Sequence, residues 1–501
     1  MLNLMLLVAC TAPAEELAAD AAAAEADRDW EAFLRKVNDQ VEEYQVPGIQ
    51  VGVVIDGALH YSGGAGVVAW GAEEPVTDDT VFRWASVSKM HTATAVLQLV
   101  DEGVLDLEAP VTTYLDQASL QEGFDASMLT THHLLTHTAA LPDELTWSCA
   151  TRTGVLRDHV ESSAPPLYAP PGSFYNYSNT GYVWAGALVE ELTGAPFIDA
   201  MQERVLDPAG MTTATYDATI ASAGPHATGT SWWDDEAFTY DLEAYDCAWS
   251  RPAAWLHGTA TDLARTAEWQ LAGGGALLSA ANTGAMHAQV DTHLLPDGQF
   301  EVGYGQFTSP YKDVTMVWHD GWVTGFTSTW AIVPESNFGV VVVANADWAD
   351  PYALMYDAVD LFLDQMDEES DEAGWITDPS TWAPYVGTFE DPYVHGTIQV
   401  TLEDDRLYAR FVDQGERVEL LQSAGDRWYF ELDGGWTDVR FITDEPGTFS
   451  WFVTREGVGT RAEDAALTSG APPLDEAAWR SLLARYAQRE RPEAARVRPE
   501  G

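Results

Sequence analysis

The stretch FRWASVSKMHTATAVLQLVDEG, residues 82–103, places a serine and a lysine three residues apart at the start of an amphipathic run. Lysine is rare in this chain, which has three among its 501 residues. Since positions i and i+3 share one face of a helix, Ser86 and Lys89 are predicted to be neighbours, while Ser88 points elsewhere. A serine hydroxyl needs a base within hydrogen-bond reach before it acts as a nucleophile. At a helix N-terminus the N–H of Ser86 also suits one half of an oxyanion hole.

A second motif lies in PPGSFYNYSNTGY, residues 170–182. Alternation along an extended segment puts Tyr177 and Asn179 on one side. A nearby ammonium lowers the pKa of a tyrosine because it favours the phenolate, so Tyr177 suits proton relay and Asn179 suits binding of a substrate amide. The alternative interpretation is an ordinary polar turn with a half-buried tyrosine.

A third motif lies in VWHDGWVTGF, residues 317–326, which reads as the end of a strand. His319 and Gly321 then face one side of the strand and Asp320 the other. Glycine at this place lets a substrate approach the backbone closely, and the N–H of Trp322 suits the second oxyanion donor. The alternative is a histidine that is simply satisfied at a strand end.

The order of the remaining patterns indicates an α+β fold. A helix is predicted over about residues 29–44, and Asp56-Gly57 predicts a hairpin between two strands. Residues 130–290 are mostly helical and loop-like, strands return near residues 314–345, and a helix follows near 352–366. Strands distant in sequence must therefore meet in one antiparallel sheet with a helical part inserted. Residues 380–460 alternate in short strands, which predicts a small barrel or sandwich.

The predicted domain boundaries follow changes in composition. Residues 1–10 read as a lipoprotein signal and residues 11–27 as an acidic Ala/Glu-rich tether. The main domain is predicted over residues 28–367, a linker over 368–377, a β domain over 378–462 and a partly disordered tail over 463–501. LVAC, ending at Cys10, resembles a bacterial lipobox, so we expect an exported protein: a periplasmic or outer-membrane lipoprotein, or an extracellular one. The alternative is a frayed, uncleaved end.

The charge balance excludes some partners. The chain has 79 acidic and 24 basic residues, a formal net charge of −55, so nucleic acid and anionic membrane surfaces are poor partners. The only membrane contact expected is a lipid anchor at Cys10. The acid excess indicates a strongly hydrated surface or, alternatively, an acidic funnel that steers a cationic substrate.

The two other cysteines, Cys149 and Cys247, are either a disulfide pair or two buried thiols. No G-x-S-x-G and no H-E-x-x-H occurs in the sequence, so an α/β-hydrolase is not expected, and no metal or other cofactor is inferred.

Taken together, Ser86…Lys89, Tyr177…Asn179 and His319…Gly321 resemble the S-x-x-K, Y-x-N and K/H-x-G motifs of the penicillin-recognising serine hydrolases. That group includes class C β-lactamases, D-Ala-D-Ala carboxypeptidases, D-aminopeptidases and related esterases. The resemblance covers about residues 30–365 and extends to flanking stretches such as HHLLTHTAALPD and AIVPESNFGVVVVAN. It implies a serine β-lactamase/DD-peptidase-like antiparallel sheet flanked by helices, followed by the small barrel-like domain often appended to such hydrolases.

The resemblance also implies roles and a reaction. Ser86 would be acylated with Lys89 as its base and Tyr177 as proton relay, Asn179, His319 and Gly321 would bind substrate, and the N–H groups of Ser86 and Trp322 would form the oxyanion hole. The expected activity is hydrolysis of a D-amino-acid peptide or amide, or of a small ester, through an acyl-enzyme. The alternatives are a true class C-like β-lactamase and a non-catalytic scaffold.

Three departures bear on the substrate. His319 stands where β-lactamases usually have lysine, which favours a peptidase or esterase. Ala139-Ala140 stands where the family often has Ser-Gly, and Trp255-Leu256 where it often has Gly-Gly, so the pocket wall is expected to differ.

Overall fold

The computed structural model describes residues 30–143, 156–233, 236–244, 246–287, 301–363, 376, 378–391, 395–422, 427–432, 435–442, 449–454 and 458–462. The predictions for the signal with Cys10, the tether, Cys149 and the tail lie outside these residues, as does nearly all of the linker.

The helices and strands of the described residues alternate irregularly along the chain. The helices are α1 (residues 30–42), α2 Ser88–Asp101, α3 Thr131–Leu135, α4 Leu156–Ser163, α5 Asn179–Thr193, α6 Phe197–Met201, α7 Ala218–Ala221, α8 Arg251–Ala254, α9 Ala260–Leu271, α10 Ala280–His287 and α11 Pro351–Phe362. The strands are β1 Gly48–Ile55, β2 Ala58–Gly66, β3 Phe82–Arg83, β4 Gly229–Trp233, β5 Glu236–Tyr240, β6 His257–Gly258, β7 Glu301–Val302, β8 Phe307–Tyr311, β9 Val314–Val323, β10 Phe326–Val333, β11 Phe338–Ala344, β12 Gly387–Asp391, β13 Gly396–Glu403, β14 Arg406–Phe411, β15 Glu416–Gln422, β16 Arg427–Leu432, β17 Gly435–Ile442, β18 Trp451–Val453 and β19 Val458–Arg461.

A seven-stranded sheet, in the order β2-β1-β11-β10-β9-β8-β7, forms the centre of the main domain. The pair β1–β11 is antiparallel and runs from Ile49 opposite Ala344 to Val54 opposite Gly339. Strands nearly 300 residues apart in sequence are therefore neighbours within the sheet. The Asp56-Gly57 turn joins β1 to β2 with positive φ at both residues, 54° and 74°, as a tight hairpin requires. The α+β prediction is therefore confirmed.

Both faces of this sheet are covered. On one face α1 and α11 pack on alternate strand residues such as Val51, Val340 and Val342. On the other face α2, α5 and α9 build the larger core with Val341 and Val343. Alternating side chains of one strand thus enter different cores, and for that reason β11 reads as a continuous apolar run.

The C-terminal strands β12–β19 form a closed antiparallel barrel, so the barrel alternative holds and the sandwich does not. Its interior holds large apolar side chains, among them Phe389, Trp428 and Phe441. A separate cluster joins the barrel to the main domain: Val453 and Val458 of β18 and β19 pack with Tyr168 and Phe174. The barrel therefore packs against the segment that precedes Tyr177.

The part of the chain predicted to be mostly helical and loop-like, residues 130–290, also contains a hairpin. It is β4–β5, between Gly229 and Tyr240, with Trp232 opposite Ala237. Its aromatic and β-branched residues favour a pleated strand. In the part of the chain that the structure describes, no helix is both long and apolar enough to cross a bilayer.

Candidate active site

Ser86 lies on a short 3-10 turn, Ala85–Val87, and α2 begins only at Ser88. The sequence had placed Ser86 and Lys89 on one α-helical face. The 3-10 turn preserves their proximity because side chains at i and i+3 eclipse in that geometry. The Nζ of Lys89 donates a hydrogen bond to the Oγ of Ser86 at 3.2 Å. The predicted neighbours are thus brought together by a tighter turn than expected.

The backbone of this turn is strained and held from three directions. Ala85 has φ 48°, a left-handed conformation that costs about 1–2 kcal/mol outside glycine. The Oγ of Ser88 donates to the carbonyl of Ala85 at 2.5 Å and accepts the N–H of Leu256 at 2.9 Å. The Oγ of Ser328 in β10 donates to the carbonyl of Trp84 at 2.7 Å. Ser88 therefore holds the turn in place, a function that its sequence position did not reveal.

Lys89 is fully buried, and its ammonium has three oxygen partners. Besides Ser86, Nζ donates to the Oδ1 of Asn179 at 2.6 Å and to the carbonyl of Ala253 at 2.9 Å. It also lies 4.8 Å from the ring centroid of Tyr177. An ammonium has three N–H donors, and these three oxygens hold it in position beside Ser86.

Tyr177 and Asn179 reach Lys89 from the segment just before α5. The side chain of Ser178 caps the helix by accepting the N–H of Gly181, and Asn179 is its first residue. The sequence predicted that Tyr177 and Asn179 lie on one side of their segment, and in the structure both side chains contact Lys89. The Nδ2 of Asn179 is directed the other way and donates to a carboxylate oxygen of Asp143 at 3.0 Å.

The segment of residues 137–143 supports both of these side chains, although the sequence analysis had placed only Ala139-Ala140 of it at the pocket wall and gave no role to His137 or Asp143. The ring of His137 stacks on Tyr177, and its Nδ1 accepts the N–H of Ser178 at 3.0 Å. The carbonyl of His137 accepts the N–H of Asn176, and Asp143 binds Asn179. The stretch HHLLTHTAALPD carried the signal, because a histidine and an aspartate on a loop are candidates for polar contacts of this kind.

His319 is buried in β9, where its Nδ1 lies 2.5 Å from the carbonyl oxygen of Asp320 and its ring 4.9 Å from that of Phe307. Gly321 lies two residues further on the same strand and packs against the turn that carries Ser86. A Cβ at Gly321 would lie 2.4 Å from the carbonyl oxygen of Trp84, so only glycine allows this approach. Close packing against the turn thus explains why position 321 is a glycine, in addition to the predicted approach of a substrate.

A buried arginine supports the turn from behind. Arg83 donates to the carbonyls of Leu242 and Ala244 and to the Nε2 of His257. Burial lowers the pKa of Arg83 to about 10, while the carboxylates of two aspartates oppose this effect. Burial and the Arg83 charge hold the pKa of His257 well below its usual value, so its Nε2 is a neutral acceptor. Arg83 thereby joins residues 242–244 and His257 to β3, the strand that leads into the nucleophile turn.

Cys247 follows this segment and is disulfide-bonded. The other two cysteines of the chain, Cys10 and Cys149, lie outside the described residues, so the Cys149–Cys247 pairing stays a prediction. Among the described residues no group of three or more His, Cys, Asp or Glu side chains could hold a metal ion.

The chain is similar to known proteins over most of its length. Residues 33–363 match the Beta-lactamase family, and residues 374–465 match a domain of unknown function, DUF3471. Penicillin-binding protein 4 of Amycolatopsis lactamdurans is 29% identical over 354 residues, which are 68% of this chain and 90% of that protein. Esterase EstB of Burkholderia gladioli is 37% identical over 197 residues, 36% of this chain and 50% of that protein. The crystal structure of SurE superposes with a TM-score of 0.69 at 25% identity, covering 87% of this chain and 100% of that one.

The fold and these matches define a serine hydrolase of the penicillin-recognising type. The chain belongs to the Beta-lactamase family, whose match spans about two thirds of its length.

Proposed function

We propose that this protein hydrolyses a D-amino-acid peptide or amide, or a small ester, through an acyl-enzyme formed on Ser86. The observation that supports the proposal most directly is the contact of Lys89 Nζ with Ser86 Oγ at 3.2 Å inside a buried polar cluster. A serine next to a buried amine is the arrangement that nucleophilic catalysis requires, because the amine takes the hydroxyl proton as the oxygen attacks.

The reaction follows from the roles of the clustered groups. With Lys89 neutral, its lone pair accepts the proton of Ser86 while Oγ bonds to the substrate carbonyl carbon and the carbonyl π electrons move to oxygen. Tyr177, whose ring faces Nζ, relays the proton to the leaving amine or alcohol as the C–N or C–O bond breaks. Water then gives up a proton to the base and attacks the carbonyl carbon of the ester on Ser86, the C–Oγ bond breaks, the carboxylic acid leaves, and Oγ takes back a proton.

We assign the oxyanion hole to the N–H groups of Ser86 and Trp322. The two-residue turn Thr324-Gly325 makes Val323 and Phe326 a hydrogen-bonded pair, so alternation directs the N–H of Trp322 away from β10. On that side β8 pairs with β9 only up to Trp318. We therefore propose that an extended substrate lies along β9 beyond Trp318, beside Ser86.

The substrate preference is proposed from the buried histidine and from the relatives. His319 replaces the lysine that binds the carboxylate in β-lactamases, so we expect weak turnover of β-lactams. The similarity to Esterase EstB, the relative with 37% identity, supports ester hydrolysis. Asn179 and His319 are proposed to contact the substrate from opposite sides of Ser86.

A hydrolysis panel tests the proposal. It compares a short-chain p-nitrophenyl ester, a D-aminoacyl anilide, a D-Ala-D-Ala peptide and nitrocefin, with Ser86→Ala as the inactive variant and Ser127→Ala, on an exposed turn, as the control. A fluorophosphonate should add one label, on the peptide that contains Ser86, and loss of Ser86 should lower turnover by on the order of 10⁴-fold. Unchanged turnover in Ser86→Ala would refute the mechanism, and nitrocefin as the best substrate would assign the β-lactamase alternative.

A further inference from the structure

The side chain of Asn179 connects a carboxylate to the candidate base. Its Oδ1 accepts from Lys89 Nζ at 2.6 Å, and its Nδ2 donates to the Oδ2 of Asp143 at 3.0 Å. The second carboxylate oxygen, Oδ1 of Asp143, accepts the backbone N–H of Asn179 at 2.7 Å. Asp143 thus binds both the backbone and the side chain of the same residue.

The chemistry of the three groups allows only one orientation of this amide. A carboxylate has acceptors alone, an ammonium has donors alone, and an amide offers one acceptor and one donor end. If the amide turned by 180°, its oxygen would face the carboxylate and its NH₂ would face the ammonium. The contact with the carboxylate would then be repulsive in either protonation state of Lys89, and the contact with Lys89 would be repulsive whenever the amine is protonated. Asp143 therefore determines which end of the amide faces Lys89.

We propose that Asp143 is a positioning residue of the site: acting through Asn179, it fixes the amide oxygen toward Lys89 and so holds the amine beside Ser86. This inference rests on the proposed function. It deepens that function because it assigns different roles to Asn179, which binds the candidate base Lys89, and to Asp143, which orients Asn179. The Ser86 hydroxyl and the rings of Tyr177 and Tyr182 also face Lys89, and the carboxylate of Asp143 binds Asn179 with both of its oxygens.

The first test is Asp143→Asn, which keeps the shape of the side chain and removes its charge. The NH₂ of the new amide then opposes the NH₂ of Asn179, and the orientation of that side chain is lost. Hydrogen bonds to charged groups contribute enough that kcat should fall about 10–100-fold, with KM less affected. Asp125→Asn is the matched control, because Asp125 also accepts a backbone N–H but lies on an exposed turn, and its kinetics should equal those of wild type.

The second test exchanges the two side chains in Asp143→Asn/Asn179→Asp. The new amide at position 143 donates to the new carboxylate at position 179 and accepts the backbone N–H there, while the carboxylate accepts from Lys89. All three hydrogen bonds are restored, so kcat should recover at least tenfold over Asp143→Asn at its own optimum pH. A carboxylate beside the ammonium favours the protonated amine, so the acid limb of the pH profile should move to higher pH.

The outcomes are distinct. Recovery in the exchange variant together with the shifted acid limb supports the positioning function. The proposal is overturned if Asp143→Asn is folded by circular dichroism and has wild-type kcat, or if the exchange variant is no better than either single variant. Failure of the proposed function itself would show elsewhere, as retained turnover in Ser86→Ala.

Discussion

The imidazole of His137 stacks on the phenol ring of Tyr177, with ring centroids 4.4 Å apart and planes inclined by 24°. The same imidazole accepts the N–H of Ser178, and the backbone of His137 is left-handed, with φ 57°. His137 thus contacts both the ring of the predicted proton relay and the backbone next to it, and we expect it to help orient Tyr177.

Two substitutions at His137 separate these contacts. His137→Asn keeps an acceptor near the Nδ1 position and tolerates the left-handed φ, but it loses the ring. His137→Phe keeps the ring, but it leaves the N–H of Ser178 unpaired and strains the backbone. An unpaired buried N–H costs about 1–3 kcal/mol, whereas ring stacking contributes about 0.5–1.5 kcal/mol. We expect kcat/KM to decrease from wild type to His137→Asn to His137→Phe, and the reverse order of the two variants would contradict this.

Ser88 should matter for the turn although it is not the nucleophile. Ser88→Ala removes the hydroxyl that binds Ala85 and Leu256, leaving a buried N–H unpaired at a cost of about 1–3 kcal/mol. We expect a lower free energy of unfolding and a lower kcat, measured by urea denaturation and ester hydrolysis. Thr94→Val is the control, because its hydroxyl bonds to the Met90 carbonyl within α2 and only distantly, at 4.0 Å, to the Met286 sulfur, and it should change neither quantity much.

The contact between the barrel and the main domain should affect catalysis. The ring of Trp451 in the barrel lies 5.4 Å from the ring of Phe174, which precedes Tyr177 by three residues. Trp451→Ala should lower kcat/KM several-fold and destabilise the protein by roughly 1–3 kcal/mol. Tyr408→Ala, on a barrel strand outside this cluster, is the comparison and should keep wild-type kinetics. Equal kinetics for both variants would show that the barrel contact leaves the site unaffected.

Acid should destabilise the protein through His91, which lies behind the nucleophile turn. Burial lowers the pKa of His91 to about 4, whereas an unfolded histidine titrates near pH 6.5. Between these values the unfolded state binds a proton that the folded state does not, so the free energy of unfolding falls as pH falls, by on the order of 3 kcal/mol.

The measurement compares wild type with His91→Gln, which keeps a polar partner for Thr266. The stability difference between the two proteins should be largest above pH 6.5 and narrow toward pH 4. Other buried histidines are present in both proteins and cancel in the comparison. A difference that is constant over this range would contradict the assigned titration.

The disulfide at Cys247 is predicted to join Cys149. The chain-entropy model assigns a loop of roughly 100 residues a stabilisation of about 4–5 kcal/mol, before any strain is subtracted. Peptide mapping without reductant should recover the two cysteines in one linked pair, and Cys149→Ser should lower the free energy of unfolding. Alkylation of both thiols after unfolding without reductant would exclude the pairing.

Local patterns predicted much of this protein. The Asp56-Gly57 hairpin and the strands that carry His319 and Val341 depend on short-range periodicity and turn chemistry, which a sequence displays directly. The pairing of Ser86 with Lys89 was also accessible, because three residues of spacing bring them together on either kind of helical turn.

The tertiary structure decided the rest. The 3-10 turn of residues 85–87 depends on distant segments: Ser88, which itself accepts the N–H of Leu256, binds the Ala85 carbonyl, and Ser328 of β10 binds the carbonyl of Trp84 just before the turn. His137 and Asp143 became part of the site only through contacts with residues about 40 positions later. Periodicity specifies which face of an element is buried, but the partner of a polar group depends on which distant segments fold against it. The sequence by itself therefore determined the elements and the nucleophile–base pair, and the fold determined what orients them.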